Sequence, residues 1–164
     1  MPGRVSPRAP EECHRRSIHT AVETCAYVDE EPFKAILQLV DWLFIDLKHM
    51  DTKMHQTYVG KSNDLILRNI RLASSTLHAR SKALVIRMVV IPGINDGRNI
   101  SDMGDFLCSL PFVTMVELLP YHRYGVYKYD LLGRSYGLTD VKPPTTKAMG
   151  KYKKLLEDKG LVVA

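Results

Sequence analysis

Four apolar segments of the chain have the length and composition of buried β-strands, and each of them ends in polar residues. They span residues 19–24, 43–48, 84–87 and 116–122. Continuous runs of Val, Ile and Leu are typical of parallel strands that are buried on both faces. Because the carboxyl ends of parallel strands meet at one edge of a sheet, the polar residues there indicate a shared site.

Segments with the apolar spacing of helices separate these strands, and this alternation determines the fold class. We predict strands at residues 18–25, 42–47, 83–91 and 113–119, and helices at 13–16, 33–40, 66–77, 100–110 and 149–156. Strands that alternate with helices form parallel βα units. The predicted class is therefore α/β, as either an open doubly wound sheet or a piece of a barrel, since four units cannot close eight strands.

Two further local patterns concern helix boundaries and loops. Ser62 and Asn63 belong to the residue types that cap helices, so we expect them to begin the helix at 66–77. Residues 121–141 are rich in Tyr and Gly and show no periodicity, so we expect an irregular segment there.

The domain organisation is predicted from length and from the composition of the amino terminus. A chain of 164 residues with 45% apolar content suits one globular domain. Residues 1–10 contain three prolines, a glycine and two arginines without periodicity. We expect a disordered or non-native lead at residues 1–10 and a single domain at residues 11–164.

Charge, cysteine content and hydropathy exclude several classes of function. The net charge of +5 is spread along the chain without a basic block, so we expect no nucleic-acid partner. Three widely spaced cysteines argue against a disulfide framework and a compact zinc site, and they suit a reducing cytoplasm. No apolar stretch approaches the ~20 residues that span a bilayer, so we expect a cytoplasmic protein without membrane contact.

Asp46 and Lys48 form the most informative polar pair. Residues two apart on a strand point to the same face, so these side chains project together. They offer a cation and a carboxylate, which is what a zwitterionic amino-acid group requires. An ion pair in solvent is the structural alternative.

Other strand ends add candidate residues to the same site. We expect Glu23 and Thr24, which end the first strand, to lie in one layer with Asp46 and Lys48. Arg87 interrupts an apolar run, where an arginine is rarely buried unless it is paired, so it is a further candidate site residue. The alternative is a structural role as a salt-bridged residue of the barrel. His122 follows the fourth strand within reach of a pocket at the strand ends, with a surface loop residue as the alternative.

Common catalytic motifs are absent from the sequence. It contains no G-x-x-x-x-G-K-[ST], G-x-G-x-x-G, G-x-S-x-G or H-E-x-x-H, so phosphate-loop, dinucleotide, hydrolase and zincin functions lack support. Lys48 could in principle form a Schiff base, but the adjacent Asp46 favours its protonated form.

Six segments of the chain form a set with a recognisable order and spacing. They are HTAVETC (19–25), FIDLKH (44–49), YVGKSN (58–63), IRMVVIPGIND (86–96), ELLPYH (117–122) and VKPP (141–144). Together they resemble the activating enzymes of glycyl radical enzymes, within the radical S-adenosylmethionine superfamily. The family includes pyruvate formate-lyase activase and its relatives for glycerol, choline and arylsuccinate enzymes. The resemblance runs from about Glu11 to the carboxyl end.

The resemblance implies a fold, two cofactors and two kinds of partner. The expected fold is the carboxyl-terminal part of a partial (β/α)6 TIM-like barrel, with S-adenosylmethionine and a 4Fe-4S cluster at the strand ends. In the family, a flavodoxin or ferredoxin reduces the cluster, which cleaves S-adenosylmethionine to a 5′-deoxyadenosyl radical. That radical takes a hydrogen atom from a glycine of the partner, a glycyl radical enzyme.

The resemblance also implies cofactor contacts by position. Asp46 and Lys48 match the residues that hold the methionine part, and His122 matches a histidine near the ribose and adenine. The full set of implied contacts is Glu23, Thr24, Asp46, Lys48, Arg87, Val89 and His122.

The sequence departs from the family at the cluster. The CxxxCxxC motif that supplies three cluster cysteines is absent, as is the family's Gly-Gly-Glu segment. Cys13 and Cys25 have the wrong spacing to replace it, so we expect no metal ligands in this chain. Ser17 and Ala26 stand where the family usually has glycine.

These departures leave two hypotheses. In the first, the chain is a truncated, carboxyl-terminal part of an activase that is inactive alone and folds poorly, because its first strand is an unpaired edge. In the second, it is a non-catalytic module that binds S-adenosylmethionine or the partner. An RNA-binding domain is a distant third, since no aromatic stacking signature accompanies the charge.

Overall fold

A computed structural model describes residues 8–164, which form four β-strands and seven α-helices. In chain order the elements are α1 (Arg8–Arg15), β1 (Ala21–Thr24), α2 (Glu30–Leu37), β2 (Trp42–Asp46), α3 (Thr52–Val59), α4 (Asp64–Ala79), β3 (Ala83–Val90), α5 (Arg98–Cys108), β4 (Met115–Pro120), α6 (Val126–Leu131) and α7 (Thr146–Glu157). Within residues 8–164, no helix is both long and apolar enough to cross a membrane.

The four strands form one parallel sheet in the order β1-β2-β3-β4. A doubly wound sheet reverses its strand order at a switch point, whereas a barrel adds each strand beside the preceding one. The sequential order therefore identifies the sheet as part of a barrel. Val163 forms a parallel bridge with Val116 on β4, so the carboxyl-terminal residues cover part of that edge.

The two faces of the sheet differ in burial. Leu43 and Ile45 on β2, with Leu84 and Ile86 on β3, are fully buried in the core that the sheet shares with the helices. The opposite face, here called the open face, is defined by Glu23, Phe44, Asp46, Arg87 and Glu117, which the parallel register places side by side. One face thus builds the core, and the other carries the charged residues.

Helix α4 shows how the apolar periodicity becomes packing. Its predicted stripe of Ile66, Ile70, Ala73 and Leu77 is buried in the core. Asn63 occupies the N-cap position, but its side chain makes no capping bond. Instead, its amide group donates to the carbonyls of His49 and Met50, over 2.9 and 2.7 Å. Asn63 therefore begins the helix at the predicted position, but its buried amide holds the chain that follows β2 instead of making a capping bond.

Two helices were not predicted, because neither has an apolar stripe. Helix α3 buries His55 as its one buried residue, and α6 buries none. Helix α3 is set instead by its ends: Asp51 accepts a hydrogen bond from the Met54 amide at 2.8 Å, and Gly60 ends the helix with a φ of 79°. Helix α6 lies in the segment 121–141 that was expected to be irregular.

Element boundaries shift by a few residues at the amino-terminal ends. Strand β1 begins at Ala21 rather than at residue 18, and β4 begins at Met115 rather than at residue 113. Helix α1 begins at Arg8, so residues 8–10 of the expected disordered lead are helical. Ion pairs from Arg15 and Arg16 to Glu12 stabilise this helix. The remaining part of that prediction, residues 1–7, lies outside the described residues.

Ser17 and Ala26 adopt the left-handed backbone conformation. Their φ angles are 56° and 54°. Side chains with a Cβ atom are strained there, whereas glycine is not. Ala26 is fully buried, and its carbonyl accepts a hydrogen bond from Asn69 at 2.8 Å, which holds the turn after β1 in place.

Candidate functional site

A charged network lies on the open face at the carboxyl ends of β1, β2 and β3. Arg87 is its centre: Nη2 donates to Glu23 Oε2 over 2.9 Å, and Nε donates to Asp46 Oδ1 over 3.0 Å. Lys48 Nζ donates to Asp46 Oδ2 over 2.8 Å. The Asp46 carboxylate thus accepts hydrogen bonds from a different cation at each oxygen.

The sheet register brings these residues together. Asp46 on β2 lies directly opposite Arg87 on β3, and Glu23 on β1 lies opposite Phe44. The guanidinium therefore reaches across β2 to Glu23, with its central carbon 5.5 Å from the centre of the Phe44 ring. Asp46 and Lys48 share a face as the alternation of strand side chains predicts.

The electrostatics of the network keep Asp46 ionised. Burial alone would raise the pKa of Asp46, but the hydrogen bonds and charges of Lys48 and Arg87 outweigh it and lower that pKa. The hydrogen bond to Glu23, with the contribution of Asp46, raises the pKa of Arg87. The site therefore presents a stable carboxylate between two cations.

Exposure differs along the network. The Arg87 side chain is 16% exposed, whereas those of Lys48 and Glu23 are 37% and 65% exposed. Arg87 is thus a fixed structural centre. Lys48 and the outer edge of Asp46 are accessible to a ligand.

A cavity of about 760 Å³ adjoins the network at the strand ends. Lys48 and Val89 line one side of it. His55 and Tyr58 from α3, together with Tyr121 and Tyr136, line other parts of its wall. Val89 therefore lines the same cavity as Lys48.

Thr24 and His122 lie apart from this network, and for Thr24 this contradicts the prediction that it shares one layer with Glu23, Asp46 and Lys48. Thr24 pairs with the core residue Ile45, so its side chain lies on the helix-covered face, where its hydroxyl accepts from the Ala26 amide at 2.9 Å. His122 is exposed, and its ring stacks on Tyr124 with 4.4 Å between ring centres. A second cavity, of about 590 Å³, lies beside the His122 and Tyr124 rings.

Buried asparagines hold the strand ends, and the sequence reasoning missed them. Asn95 is 3% exposed; its Nδ2 donates to the carbonyls of Lys48 (3.0 Å) and Val89 (2.8 Å), and its Oδ1 accepts from the Ile91 amide at 2.7 Å. Asn95 therefore ties the end of β2 to the end of β3. The available signal was an asparagine in the loop IPGIND, five residues after β3 ends at Val90.

Asn99 extends this scaffold from α5. Its Nδ2 donates to the Asn95 carbonyl over 2.8 Å, and its Oδ1 accepts from the Met50 amide over 2.8 Å. Buried amides that use their donors and acceptors in this way fix loop geometry. Asn95 and Asn99 therefore hold the backbone at Lys48 and at Met50, two residues later.

Comparison with known proteins identifies the family. No protein-family model matches the chain. The 4-hydroxyphenylacetate decarboxylase activating enzyme of Clostridioides difficile strain 630 is 45% identical over 130 residues, which cover 78% of this chain and 40% of that protein. The pyruvate formate-lyase 1-activating enzyme of Escherichia coli K12 is 34% identical over 151 residues, covering 90% of this chain and 60% of that protein. The chain belongs to the glycyl radical enzyme activating enzymes.

A solved structure supports the same conclusion at the level of the fold. The crystal structure of a domain of pyruvate-formate lyase-activating enzyme from Bacteroides vulgatus matches with a TM-score of 0.78 and 28% identity, over 96% of this chain and 87% of that one. The predicted α/β fold of an activating enzyme is thus confirmed. The chain spans between 40% and 60% of the length of the two relatives above.

Activating enzymes of this superfamily use S-adenosylmethionine and a 4Fe-4S cluster, and the chain fits these two groups differently. Asp46 and Lys48 offer a partly exposed carboxylate and ammonium, and Lys48 lines a cavity, which suits the methionine part of the cofactor. For the cluster, residues 8–164 contain no group of three or more His, Cys, Asp or Glu side chains that could hold a metal. Cys13, Cys25 and Cys108 are free thiols. The described residues therefore do not fit a cluster.

Proposed function

We propose that this chain binds S-adenosylmethionine through Asp46 and Lys48, as the cofactor-binding wall of a glycyl radical enzyme activating enzyme. The observation that carries the proposal is the Asp46 carboxylate, held at one oxygen by the largely buried Arg87 and at the other by the accessible Lys48. The family similarity supports the identity of the ligand.

The exchange of ion pairs explains how such a ligand binds. Lys48 and Asp46 bond each other when no ligand is present, at 2.8 Å. A zwitterion replaces this bond with two: its ammonium donates to Asp46, and Lys48 donates to its carboxylate. Arg87 keeps the second Asp46 oxygen fixed, so the carboxylate does not have to reorganise.

The His122 and Tyr124 rings supply a surface for the planar part of the same cofactor. They stack at 4.4 Å and are both exposed, and aromatic faces pack well against a purine. In a complete activating enzyme, bound S-adenosylmethionine supplies the sulfonium whose reductive cleavage yields the hydrogen-abstracting radical. Glu23 shapes the end of β1 beside this site through its bond to Arg87, and Thr24 holds the turn after β1 from the opposite face.

We further propose that the chain does not generate radicals by itself. The sequence has no CxxxCxxC motif, and the described residues offer no cluster ligands. Radical formation on a glycyl radical enzyme, with electrons from a flavodoxin or ferredoxin, therefore requires cluster ligands from another polypeptide segment. Anaerobic reconstitution tests this directly, since a stoichiometric 4Fe-4S signal by electron paramagnetic resonance would contradict it.

Calorimetric titration with S-adenosylmethionine tests the binding proposal. We expect Lys48→Met to weaken binding by about tenfold or more, because one charge-assisted hydrogen bond is lost. Lys82→Met is the matched control: Lys82 is 35% exposed and paired with Asp41, but it precedes β3 at the opposite end of the sheet. Equal binding by the two variants, or no binding by the unchanged chain, would contradict the proposal.

A partner-binding module is the second candidate, and one observation favours it. The segment around α6 exposes large apolar side chains, with Tyr124 and Leu131 at 81% and 78% exposure. Exposed apolar clusters mark interaction surfaces more often than single exposed residues do. Binding of a purified glycyl radical enzyme without binding of S-adenosylmethionine would favour this function over the first.

A further inference from the structure

The IPGIND loop, residues 91–96, holds the backbone of two neighbouring residues after β2. Asn95 Nδ2 donates to the Lys48 carbonyl over 3.0 Å. His49 Nε2 donates to the Ile94 carbonyl over 3.2 Å, because the other ring nitrogen accepts from a backbone amide and leaves the hydrogen on Nε2. The position of the IPGIND loop therefore determines where the backbone of Lys48 lies.

The backbone of this loop does not fix its own conformation. Gly93 within the loop and Gly97 directly after it have φ angles of 76° and 55°, a region in which glycine moves more freely than other residues. Side-chain contacts must therefore select one conformation. Asp96 supplies such a contact inside the loop, since its Oδ1 accepts from the Gly93 amide over 3.0 Å.

Tyr152 on α7 connects the same carboxylate to another element. Its hydroxyl donates to Asp96 Oδ2 over 3.1 Å, although the two residues are 56 positions apart in the chain. Burial raises the pKa of Tyr152, and the hydrogen bond to Asp96 raises it further, so the hydroxyl keeps the proton that it donates. Asp96 thus accepts one bond from the IPGIND loop and one from α7.

Helix α7 is a fixed support for this bond. Leu156 is fully buried in the core, and the Tyr152 ring packs against the core. After the helix ends, Lys159 forms an ion pair with Asp105 on α5, and the carboxyl-terminal residues bridge to β4. The Tyr152 hydroxyl is therefore held relative to the sheet by contacts that do not involve the IPGIND loop.

We propose that Tyr152 is a positioning residue: its bond to Asp96 holds the IPGIND loop where the loop fixes the backbone of Lys48. Tyr152 acts through the loop, since it lines a different cavity, of about 580 Å³, from the one that Lys48 lines. The consequence for S-adenosylmethionine binding rests on the proposed function, whereas the hold on the loop does not.

Amide hydrogen exchange on the full chain tests the hold on the loop. The Ile91 amide donates to Asn95 Oδ1 over 2.7 Å, so its exchange rate reports whether the loop keeps Asn95 in place. Tyr152→Phe retains the ring and removes the hydroxyl. We expect the Ile91 amide to exchange at least about threefold faster in this variant, because one hydrogen bond to the loop is lost. An unchanged rate would overturn the proposal.

Asp105→Ala is the matched control, because it removes the ion pair between α5 and Lys159 and loosens the support at the other end of α7. We expect the Ile91 amide to exchange at an unchanged rate in this variant. Equal acceleration in Asp105→Ala and Tyr152→Phe would mean that the loop responds to any loosening of α7, and it would overturn the assignment to the Tyr152 hydroxyl.

Two substitutions of Asp96 separate its contacts from its charge. Asp96→Asn retains an oxygen for the Gly93 amide and offers an N–H donor to the Tyr152 oxygen, whereas Asp96→Ala removes both contacts. We expect Ile91 exchange in Asp96→Asn to stay close to that of the unchanged chain, and exchange in Asp96→Ala to be at least as fast as in Tyr152→Phe. Equally fast exchange in the two Asp96 variants would contradict a link made by these hydrogen bonds.

Titration with S-adenosylmethionine tests the consequence for the cofactor-binding wall. At a temperature where both variants are folded, we expect Tyr152→Phe to bind at least about threefold more weakly than Asp105→Ala. Equal affinity, together with faster Ile91 exchange in Tyr152→Phe, would overturn the positioning role. Absence of binding by the unchanged chain would instead contradict the proposed function, and the exchange rates would decide separately whether Tyr152 holds the loop.

Discussion

Ser17 and Ala26 show how one residue's environment decides the effect of the same substitution. Both hold positive φ angles where glycine is less strained by about 1–2 kcal/mol. Ser17 is exposed, so Ser17→Gly removes strain without losing packing. Ala26 is fully buried, and Ala26→Gly also loses a buried methyl group, which contributes about 0.8 kcal/mol.

We expect Ser17→Gly to stabilise the fold by about 0.5–1 kcal/mol and Ala26→Gly to be close to neutral, after allowing for the greater freedom of glycine in the unfolded chain. Urea unfolding of the two variants measures this difference. A larger gain at Ala26 than at Ser17 would show that strain, rather than burial, dominates at the turn after β1.

At the scale of single residues, the sequence correctly predicts that the charged residues of the site pair with one another, but it misplaces Thr24. Asp46 and Lys48 are two apart on a strand and share a face, and the expected partners of Arg87 are supplied by Asp46 and Glu23. Thr24 is adjacent to Glu23, and adjacent strand residues point to opposite faces. The prediction of one layer for both was therefore inconsistent with strand geometry.

At the scale of elements, apolar periodicity predicts the parts of the chain that build the core. The α4 stripe of Ile66, Ile70, Ala73 and Leu77 is buried as expected, because its spacing directly reflects packing on the sheet. Apolar periodicity does not predict helix α3, because the boundaries of this helix depend on Asp51 and Gly60 rather than on an apolar face. It does not predict the roles of the buried asparagines either, because their partners are backbone groups that the sequence does not identify.

Asn95 is the clearest test of how elements are tied together at the site. Its side chain makes three hydrogen bonds to the backbone, including those to the ends of β2 and β3. Asn95→Ala leaves two buried carbonyls and one amide without this partner, so we expect a loss of about 2–3 kcal/mol in the free energy of unfolding. Gln38→Ala, which removes an exposed amide bonded to Arg80, should cost less than about 0.5 kcal/mol.

Urea unfolding of both variants provides the stability measurement, and titration with S-adenosylmethionine provides a second one. Asn95→Ala should also weaken cofactor binding at temperatures where the chain is folded, because Lys48 loses the hydrogen bond at its carbonyl. Unchanged binding in a folded Asn95→Ala variant would mean that the scaffold stabilises the fold without positioning Lys48.

At the scale of the whole molecule, the sequential sheet explains both the barrel character and its exposed side. Four strands curve only part of the way around a barrel. Phe44 and Asp46 on the open face are therefore partly exposed, whereas the apolar side chains on the helix-covered face are buried. The family resemblance predicts this arrangement, which composition and periodicity alone left open between two architectures. The order β1-β2-β3-β4 resolves the choice.

The free energy of unfolding of the whole chain depends on pH, and the Asp41 carboxylate contributes to that dependence. A hydrogen bond from Lys82 and another from the Thr20 amide lower the pKa of Asp41 to about 2, from an ordinary value of 3.8. A carboxylate whose pKa is lower in the folded chain stabilises the fold above its unfolded pKa and loses that contribution as the pH falls through its folded pKa.

We therefore expect Asp41 to contribute up to about 2 kcal/mol at neutral pH, and this contribution to disappear between about pH 4 and pH 2. Asp41→Asn should reduce neutral-pH stability and flatten the dependence on pH in that window, as measured by urea unfolding at a series of pH values. Asp102→Asn is the control, because the Asp102 carboxylate is exposed and lies 3.7 Å from Arg98. This variant should leave the dependence of the unfolding free energy on pH nearly unchanged. An equal slope for Asp41→Asn and the unchanged chain would show that the ion pair joining the starts of β2 and β3 does not govern acid stability.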